Sequence, residues 1–295
     1  MFGLLLLDKP AGLSSNRALQ SAKHLFRAAK AGHTGSLDPL ATGMLPIFFG
    51  AATRLASHAL EARKTYRVTA TLGIATATGD TEGAVTEDRS SEPPPDGARV
   101  TAAASRFVGE LEQVPPMYSA LKREGVPLYR LARSGVEVER APRRVVIEEL
   151  VIDRYQWPAL DFHVRCSKGT YVRTLVEDLA KAAGTVGHVA SLRRLAVEPF
   201  DARDMRAFEA LEAAATDGLE ALDRLLLPAD AALPSWPAAH VEPADVARLA
   251  RGQAVRAEPA WVCGPTKVYS PSGQFVAIGV VTDDRRLAPT RVFIR

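Results

Sequence analysis

Residues 32–43, GHTGSLDPLATG, place one carboxylate inside a long basic interval. Between Asp8 and Glu61 the sole acidic residue is Asp38, against Lys9, Arg17, Lys23, Arg27, Lys30 and Arg54. Surrounding cations lower a carboxylate pKa and hold the group ionised, the state that a nucleophile or a general base requires. Other chemistries fit this stretch less well. A P-loop needs Gly-Lys before Ser or Thr, whereas Gly32 and Gly35 bracket His33 and Thr34. The Gly-x-Gly-x-x-Gly spacing of a dinucleotide site is missing from the stretch, and the chain has no Gly-x-Ser-x-Gly elbow. The histidines, His24, His33, His58, His163, His188 and His240, are scattered singly, so no metal-ligand spacing emerges. On residue types alone, an aspartate capping a turn before Pro39 is the simpler account of Asp38.

The elements that must position this loop are legible from periodicity. Residues 4–7, four leucines, read as a buried strand, too short for a signal segment or a membrane span. SSNRALQSAKHLF reads as a helix capped by Ser14 or Ser15, with Ala18, Leu19, Ala22, Leu25 and Phe26 on one stripe. In KTYRVTATLG, Tyr66, Val68 and Ala70 alternate with Arg67, Thr69 and Thr71, a strand pattern. RSSEPPPDG is a surface connection. RRVVIEELVIDRY, LDFHVRC and SLRRLAVEPF are strand candidates. Between them Val172, Leu175, Val176 and Leu179 form a helical stripe that Gly184 stops.

Residues 115–144, PPMYSALKREGVPLYRLARSGVEVERAPRR, form an excursion with seven basic and three acidic side chains, interleaved with Tyr118 and Tyr129. Such a surface suits single-stranded or looped nucleic acid; a hairpin and helix with tyrosines packed beneath is the competing account. LLLPADAALPSWPAAHVEP reads as a linker. Beyond it QAVRA, TKVYS, QFVAIGVV and APTRVFIR form a compact β tail with a hairpin turn at Gly273, small enough that it must pack on the main body.

The net charge of +3 in 295 residues conceals a polarity. Residues 1–67 carry nine basic and three acidic side chains, whereas residues 196–262 carry six basic and twelve acidic ones. A basic face of this kind attracts polyanions. Two cysteines, Cys166 and Cys263, make neither a disulfide framework nor a metal cluster and point to a reducing compartment, the cytoplasm by default.

GHTGSLDPLATG resembles the catalytic motif of the bacterial tRNA pseudouridine-55 synthases, the TruB family. Further motifs follow in the family's order: LLLLDKPAGLSSN is similar to its opening strand and Lys-Pro motif, KTYRVTATLGIATATGDTEG to its tyrosine motif, and PPMYSALKREGVPLYRLAR to its RNA-gripping insertion. CSKGTYVRTLVEDLA and SLRRLAVEPF resemble its last catalytic motifs. The tail, with GQAV and SGQFVAIGVV, resembles more loosely the family's small PUA-like domain. The resemblance implies an α+β fold with a mixed, largely antiparallel sheet flanked by helices. Its implied domains are a catalytic domain at 1–232, an insertion at about 112–145, and a PUA-like RNA-binding domain at 237–295.

The implied activity is isomerisation of uridine-55 in the T loop of tRNA to pseudouridine, by base flipping and without cofactor or metal. Asp38 would act on the ribose, at C1′ or at the C2′ proton. His33 would help hold the rearranged loop, Tyr66 would stack on the base, Tyr171 would line the pocket, Arg173 would pair with Asp38 and Leu192 would close the apolar side. The glycines would give the backbone room beside RNA. Lys9, Arg17, Lys23, Arg123, Arg130, Arg143 and Arg144 would contact phosphates, and the tail would reach the acceptor end. A monomer acting in the cytoplasm, away from membranes, is implied as well.

Overall fold

The computed structural model describes residues 2–294. Its first half runs β1 (Gly3–Lys9), α1 (Ser15–Leu25), β2 (Ala31–His33), β3 (Thr42–Phe49), α2 (Ala56–Leu60), β4 (Lys64–Leu72), β5 (Ile74–Thr76), β6 (Val85–Asp88), α3 (Gly97–Ser105) and β7 (Gly109–Gln113). There follow the hairpin β8 (Lys122–Arg123) and β9 (Val126–Pro127), α4 (Leu128–Arg133), β10 (Arg143–Gln156), β11 (Ala159–Cys166), α5 (Val172–Ala182) and β12 (Gly187–Val197). After α6 (Phe208–Thr216) and α7 (Leu219–Asp223) the tail comprises β13 (Ala238–His240), α8 (Pro243–Ala250), β14 (Val255–Arg256), β15 (Gly264–Tyr269), β16 (Phe275–Val281) and β17 (Arg286–Val292).

The main sheet has the order β1-β3-β12-β4-β11-β10-β7, with β2 added on β3. Its pairs are antiparallel except β12 with β3. The leucine run of β1 is explained by its two neighbours: Leu4 and Leu6 enter one core with Phe48, while Leu5 and Leu7 enter another with α1 and Phe49. Successive side chains point to opposite faces, so a strand covered on both sides has no need of polar alternation. In β4 only one face is covered. Tyr66, Val68, Ala70 and Leu72 meet α3 and α5 in the largest core, while Thr69 on the other face donates to Asp161 at 2.6 Å. Helix α1 is capped by Ser14, whose hydroxyl accepts the Arg17 amide, and Phe26 beyond its end stacks on Phe49 at 4.7 Å. Gly184, at φ +87°, follows the end of α5.

Two expectations change. The excursion leaves from β7 and returns on β10, whose Gln113 and Arg143 are directly paired. Arg143 and Arg144 thus open β10, paired with the edge strand β7, and the projecting hairpin and helix span 114–142. The segment read as a linker is packed. Leu227 exchanges backbone bonds with Leu4 at 2.8 and 2.9 Å, and Ala229, Ala232 and Leu233 are buried in the core that also receives Phe275 and Ile278 of the tail. Apolar burial outweighs its proline content, and the Tyr269 hydroxyl donates to Asp230 at 2.5 Å across the same junction. The tail itself is a five-stranded sheet, β13-β15-β16-β17-β14, in which the expected strand QAVRA contracts to two residues.

Candidate active site

The loop carrying Asp38 connects β2 to β3 and is held from beneath by α1. The Ser15 hydroxyl accepts the Leu37 amide at 2.7 Å and donates to the Leu37 carbonyl at 2.9 Å. Lys9, expected at a phosphate, instead lies fully buried: its ammonium donates to the carbonyls of Leu13 and Pro10 at 2.7 and 2.8 Å and reaches that of Pro39 at 3.4 Å. It is a strut for the loop, and burial, partly offset by Asp38, lowers its pKa to about 8. Gly43 closes the loop at φ +98°, where a Cβ would stand 2.2 Å from the Arg194 carbonyl oxygen. The room this glycine provides is for β12, not for RNA.

Asp38 Oδ2 faces Arg173 Nε at 2.9 Å, with the Arg173 side chain 4% exposed and that of Asp38 38% exposed. One partner is therefore fixed in protein while the other opens to a cavity. The guanidinium is pinned on three sides: Nη1 donates to Thr78 O at 2.6 Å, Nη2 donates to Tyr118 O at 2.7 Å, and Asp80 Oδ2 stands 3.7 Å from Nη1. Asp80 is itself buried and accepts from the Thr78 hydroxyl at 2.5 Å and the Glu82 amide at 3.0 Å. The α5 stripe alone would leave Arg173 on the outer face; the β5–β6 turn and the excursion cover it.

Burial pushes the Asp38 carboxyl above the ordinary carboxylate range, against the pull of Arg173 and Lys9 and with the help of Asp80. This reverses the lowered pKa expected from basic composition. Desolvation of the loop outweighs nearby cations, several of which, such as exposed Arg17, face away into solvent.

The cavity, about 360 Å³, is lined by Asp38, Tyr66, Tyr171, Arg173 and Leu192. Sheet register assembles this set: Leu192 and Arg194 of β12 lie opposite Val68 and Tyr66 of β4. Tyr171 precedes α5 and is fixed through its backbone. Its amide donates to Gln113 Oε1 at 2.7 Å and its carbonyl accepts from Gln113 Nε2 at 3.0 Å. Burial raises the pKa of both tyrosines. His33 stays outside the cavity lining, in β2 opposite Ile47, with Nδ1 buried and unpartnered; burial and Arg194 lower its pKa.

Of the charged residues that line the cavity, Lys64, Lys168 and Arg194 escaped the sequence reading; Lys168 is paired with Glu61. Each lies in a stretch that resembles a family motif, without a role assigned to the residue itself. Two consecutive arginines in an otherwise apolar strand were the available signal: Arg193 takes the Asp8 carboxylate at 2.7 Å on one face, which sends Arg194 inward. Of the expected phosphate contacts, Arg17, Arg123, Arg130, Arg143 and Arg144 are exposed and Lys23 is half-buried. Among the described residues no group of three His, Cys, Asp or Glu side chains is placed to hold a metal ion. Among the described residues no helix is long and apolar enough to cross a membrane.

By fold the chain is similar to the crystal structure of a Cbf5-Nop10-Gar1 complex, with TM-score 0.75 and 23% identity over 99% of this chain and 85% of that one. It is similar also to that of the archaeal box H/ACA sRNP Nop10-Cbf5 complex, with TM-score 0.72 and 21% identity over 99% and 86%. These likenesses define the fold class. Residues 23–172 match the model of the TruB family pseudouridylate synthase N-terminal domain, residues 173–234 that of the tRNA pseudouridylate synthase B C-terminal domain, and residues 237–293 that of the pseudouridine synthase II TruB C-terminal region. The tRNA pseudouridine synthase B of Pseudomonas aeruginosa is 48% identical over 98% of this chain and 95% of its own length. That of Nitrosococcus oceani is 48% identical over 98% and 94%. The chain belongs to the TruB family of pseudouridylate synthases.

Proposed function

We propose that the cavity isomerises uridine-55 in the T loop of tRNA to pseudouridine, with Asp38 acting on the ribose and nothing supplied from outside the substrate. The carrying observation is the ion pair of Asp38 with Arg173 at the wall of a cavity flanked by two tyrosines. The target base is buried in a folded loop and must be extruded, at a cost in stacking. Tyr66 and Tyr171 offer aromatic faces to it, and Leu192 an apolar one.

Asp38 then either attacks C1′ or removes the C2′ proton. In both routes the N1–C1′ bond breaks and its electron pair goes to the uracil ring. The ring turns and C5 joins C1′ as Asp38 leaves C1′ or returns the proton to C2′, and the proton lost from C5 is matched by one gained at N1. Atoms and electrons balance within the substrate, so no redox or group-donating cofactor enters. Burial makes Asp38 the stronger base and nucleophile, while Arg173 holds it ionised and aimed. His33, outside the cavity lining and with Nδ1 unpartnered, is assigned to holding the rearranged T loop rather than the base.

The exposed cations Arg17, Arg123, Arg130, Arg143 and Arg144, with Lys23, are assigned to phosphates of the T arm. The tail's assignment to the acceptor end is supported by Arg256 and Arg286, exposed and directly opposite each other across β14 and β17. Like charges so placed repel, and a phosphate relieves them. Action as a monomer in the cytoplasm is part of the same proposal.

The test is a tRNA transcript incubated with the purified chain and with Asp38→Asn. Pseudouridine at the T-loop position with the former, none with the latter, and equal tRNA binding by both are expected. Conversion by Asp38→Asn would exclude Asp38 as the reacting carboxylate. Because the tail shares a core with the main body, Arg256→Glu with Arg286→Glu tests its RNA contact more cleanly than truncation; unchanged tRNA affinity would remove that role.

A further inference from the structure

Three cations near the cavity have no carboxylate partner within ion-pair distance among the described residues: Lys9, Lys64 and Arg194. Lys9 is accounted for by three carbonyls and does not line the cavity. Lys64 and Arg194 do line it. Lys64 Nζ donates to Leu60 O at 2.8 Å and Ala62 O at 2.5 Å, which leaves one N–H of the ammonium unassigned. Arg194 Nε donates to Met44 O at 2.6 Å and Nη2 to Gly35 O at 2.9 Å; its guanidinium lies beside the Tyr66 hydroxyl. Gly35 keeps the approach to this pair open: a Cβ there would lie 3.3 Å from Arg194 Nη1 and 3.8 Å from Lys64 Cε. The thiol of Cys166, near Lys64, is pushed up to about 11 by burial and supplies no counter-charge.

Two buried cations, 6% and 1% exposed, held by carbonyl dipoles and the Tyr66 hydroxyl with no carboxylate at ion-pair distance, are costly unless the cavity receives negative charge. We propose that Lys64 and Arg194 form a cationic seat for the uracil ring, binding the anion that the ring becomes when its bond to the ribose breaks. This rests on the isomerase reading of the cavity and holds for both routes open to Asp38. In each the electron pair of N1–C1′ is carried by the ring, spread over N1, O2 and O4, until C5 returns it in the new C5–C1′ bond and loses its proton. Charge present only after bond cleavage is where fixed cations accelerate most. A backbone phosphate of the substrate is the other anion that such a pair fits, and the test separates the two.

Lys64→Gln keeps donors for the Leu60 and Ala62 carbonyls and removes the charge; Lys64→Arg keeps the charge. Single-turnover glycosidic cleavage is measured on tRNA carrying uridine or 5-fluorouridine at the target, together with tRNA affinity. Fluorine stabilises the ring anion by induction and so substitutes for the lost cation. The expected loss in Lys64→Gln is roughly 100-fold on uridine, the scale of one lost transition-state donor. On 5-fluorouridine it shrinks to less than about a tenth of that, with affinity within about twofold and Lys64→Arg close to the unaltered chain. Equal losses on both substrates, or a Lys64→Arg as slow as Lys64→Gln, would mean that Lys64 only braces the end of α2. Weakened affinity with an unchanged bound rate would assign the seat to phosphate. Should Lys64→Gln not fold, the unaltered chain decides: a seat makes its own cleavage nearly insensitive to fluorine, and a strong fluorine acceleration overturns the proposal. Absence of any conversion by the unaltered chain would sink the isomerase reading, whereas conversion with equal losses sinks the seat alone.

Discussion

Replacing Arg173 separates the two services that it gives Asp38, charge and aim. Arg173→Met removes a cation whose Nε is 2.9 Å from the Asp38 carboxylate. At charge centres about 4 Å apart the attraction is about 4 kcal/mol for an effective dielectric of 20. Asp38 is 38% exposed, and solvent screening reduces this to roughly 1.5–3 kcal/mol, or about 1–2 pH units. The sign follows from the reactive form. Arg173 favours the ionised carboxylate, so its loss raises the Asp38 pKa further, and the acid limb of kcat/KM, which reports the free enzyme, moves up by about 1–2 units. Arg173→Lys restores the charge but not the fork, since Asp38, Thr78 O and Tyr118 O are met by three separate guanidinium nitrogens whose positions one ammonium nitrogen cannot all occupy. Its limb should return toward that of the unaltered chain while the plateau rate stays depressed by roughly 10²-fold, the cost of a misaimed group. The assay is release of tritium from C5 of the target uridine in tRNA, a hydrogen that must leave when C5 joins the sugar, followed from pH 4 to 8. Identical acid limbs in Arg173→Met and the unaltered chain would refute the electrostatic part. A Lys variant with full plateau rate would refute the positional part.

Three further outcomes are expected. Asp80→Asn removes a like charge that raises the Asp38 pKa, so its acid limb moves down, opposite to Arg173→Met, while the rate falls because Arg173 loses a flank; an upward shift would contradict the assigned sign. Gly43→Ala forces a Cβ to within 2.2 Å of a backbone oxygen at φ +98° and should cost roughly 2–5 kcal/mol; an unchanged denaturant midpoint would show that the loop relaxes freely. tRNA affinity should fall linearly with log salt, and Arg123→Ala and Arg130→Ala should each reduce that slope by about one; unchanged slopes would place these arginines away from phosphate.

What could be read from residue types divides along a physical line. Strands and helices with one covered face announced themselves through period, as in Tyr66, Val68 and Ala70 of β4 and the α5 stripe, because burial of one face selects apolar residues at fixed spacing. Alone, the same rule leaves Arg173 on the outer face of its helix, and only the resemblance puts it beside Asp38: periodicity places a side chain relative to its own helix and says nothing of the turn and excursion that fold over it. Lys9 reads as a phosphate contact and Lys64 draws no role at all, because a single lysine carries no mark of the carbonyls that receive it. Asp38 shows the limit most clearly. Counting charges along the chain gave it a lowered pKa, yet charge acts through distance and medium, and neither is a property of the count. Only the assembled cavity shows Arg173 and buried Asp80 in place beside it and the exposed arginines of α1 and the excursion turned outward. A carboxylate tuned in this way is poised by folding itself: the same burial that raises its basicity requires the fork of Arg173 to keep it charged, so reactivity and aim cannot be changed independently at this position.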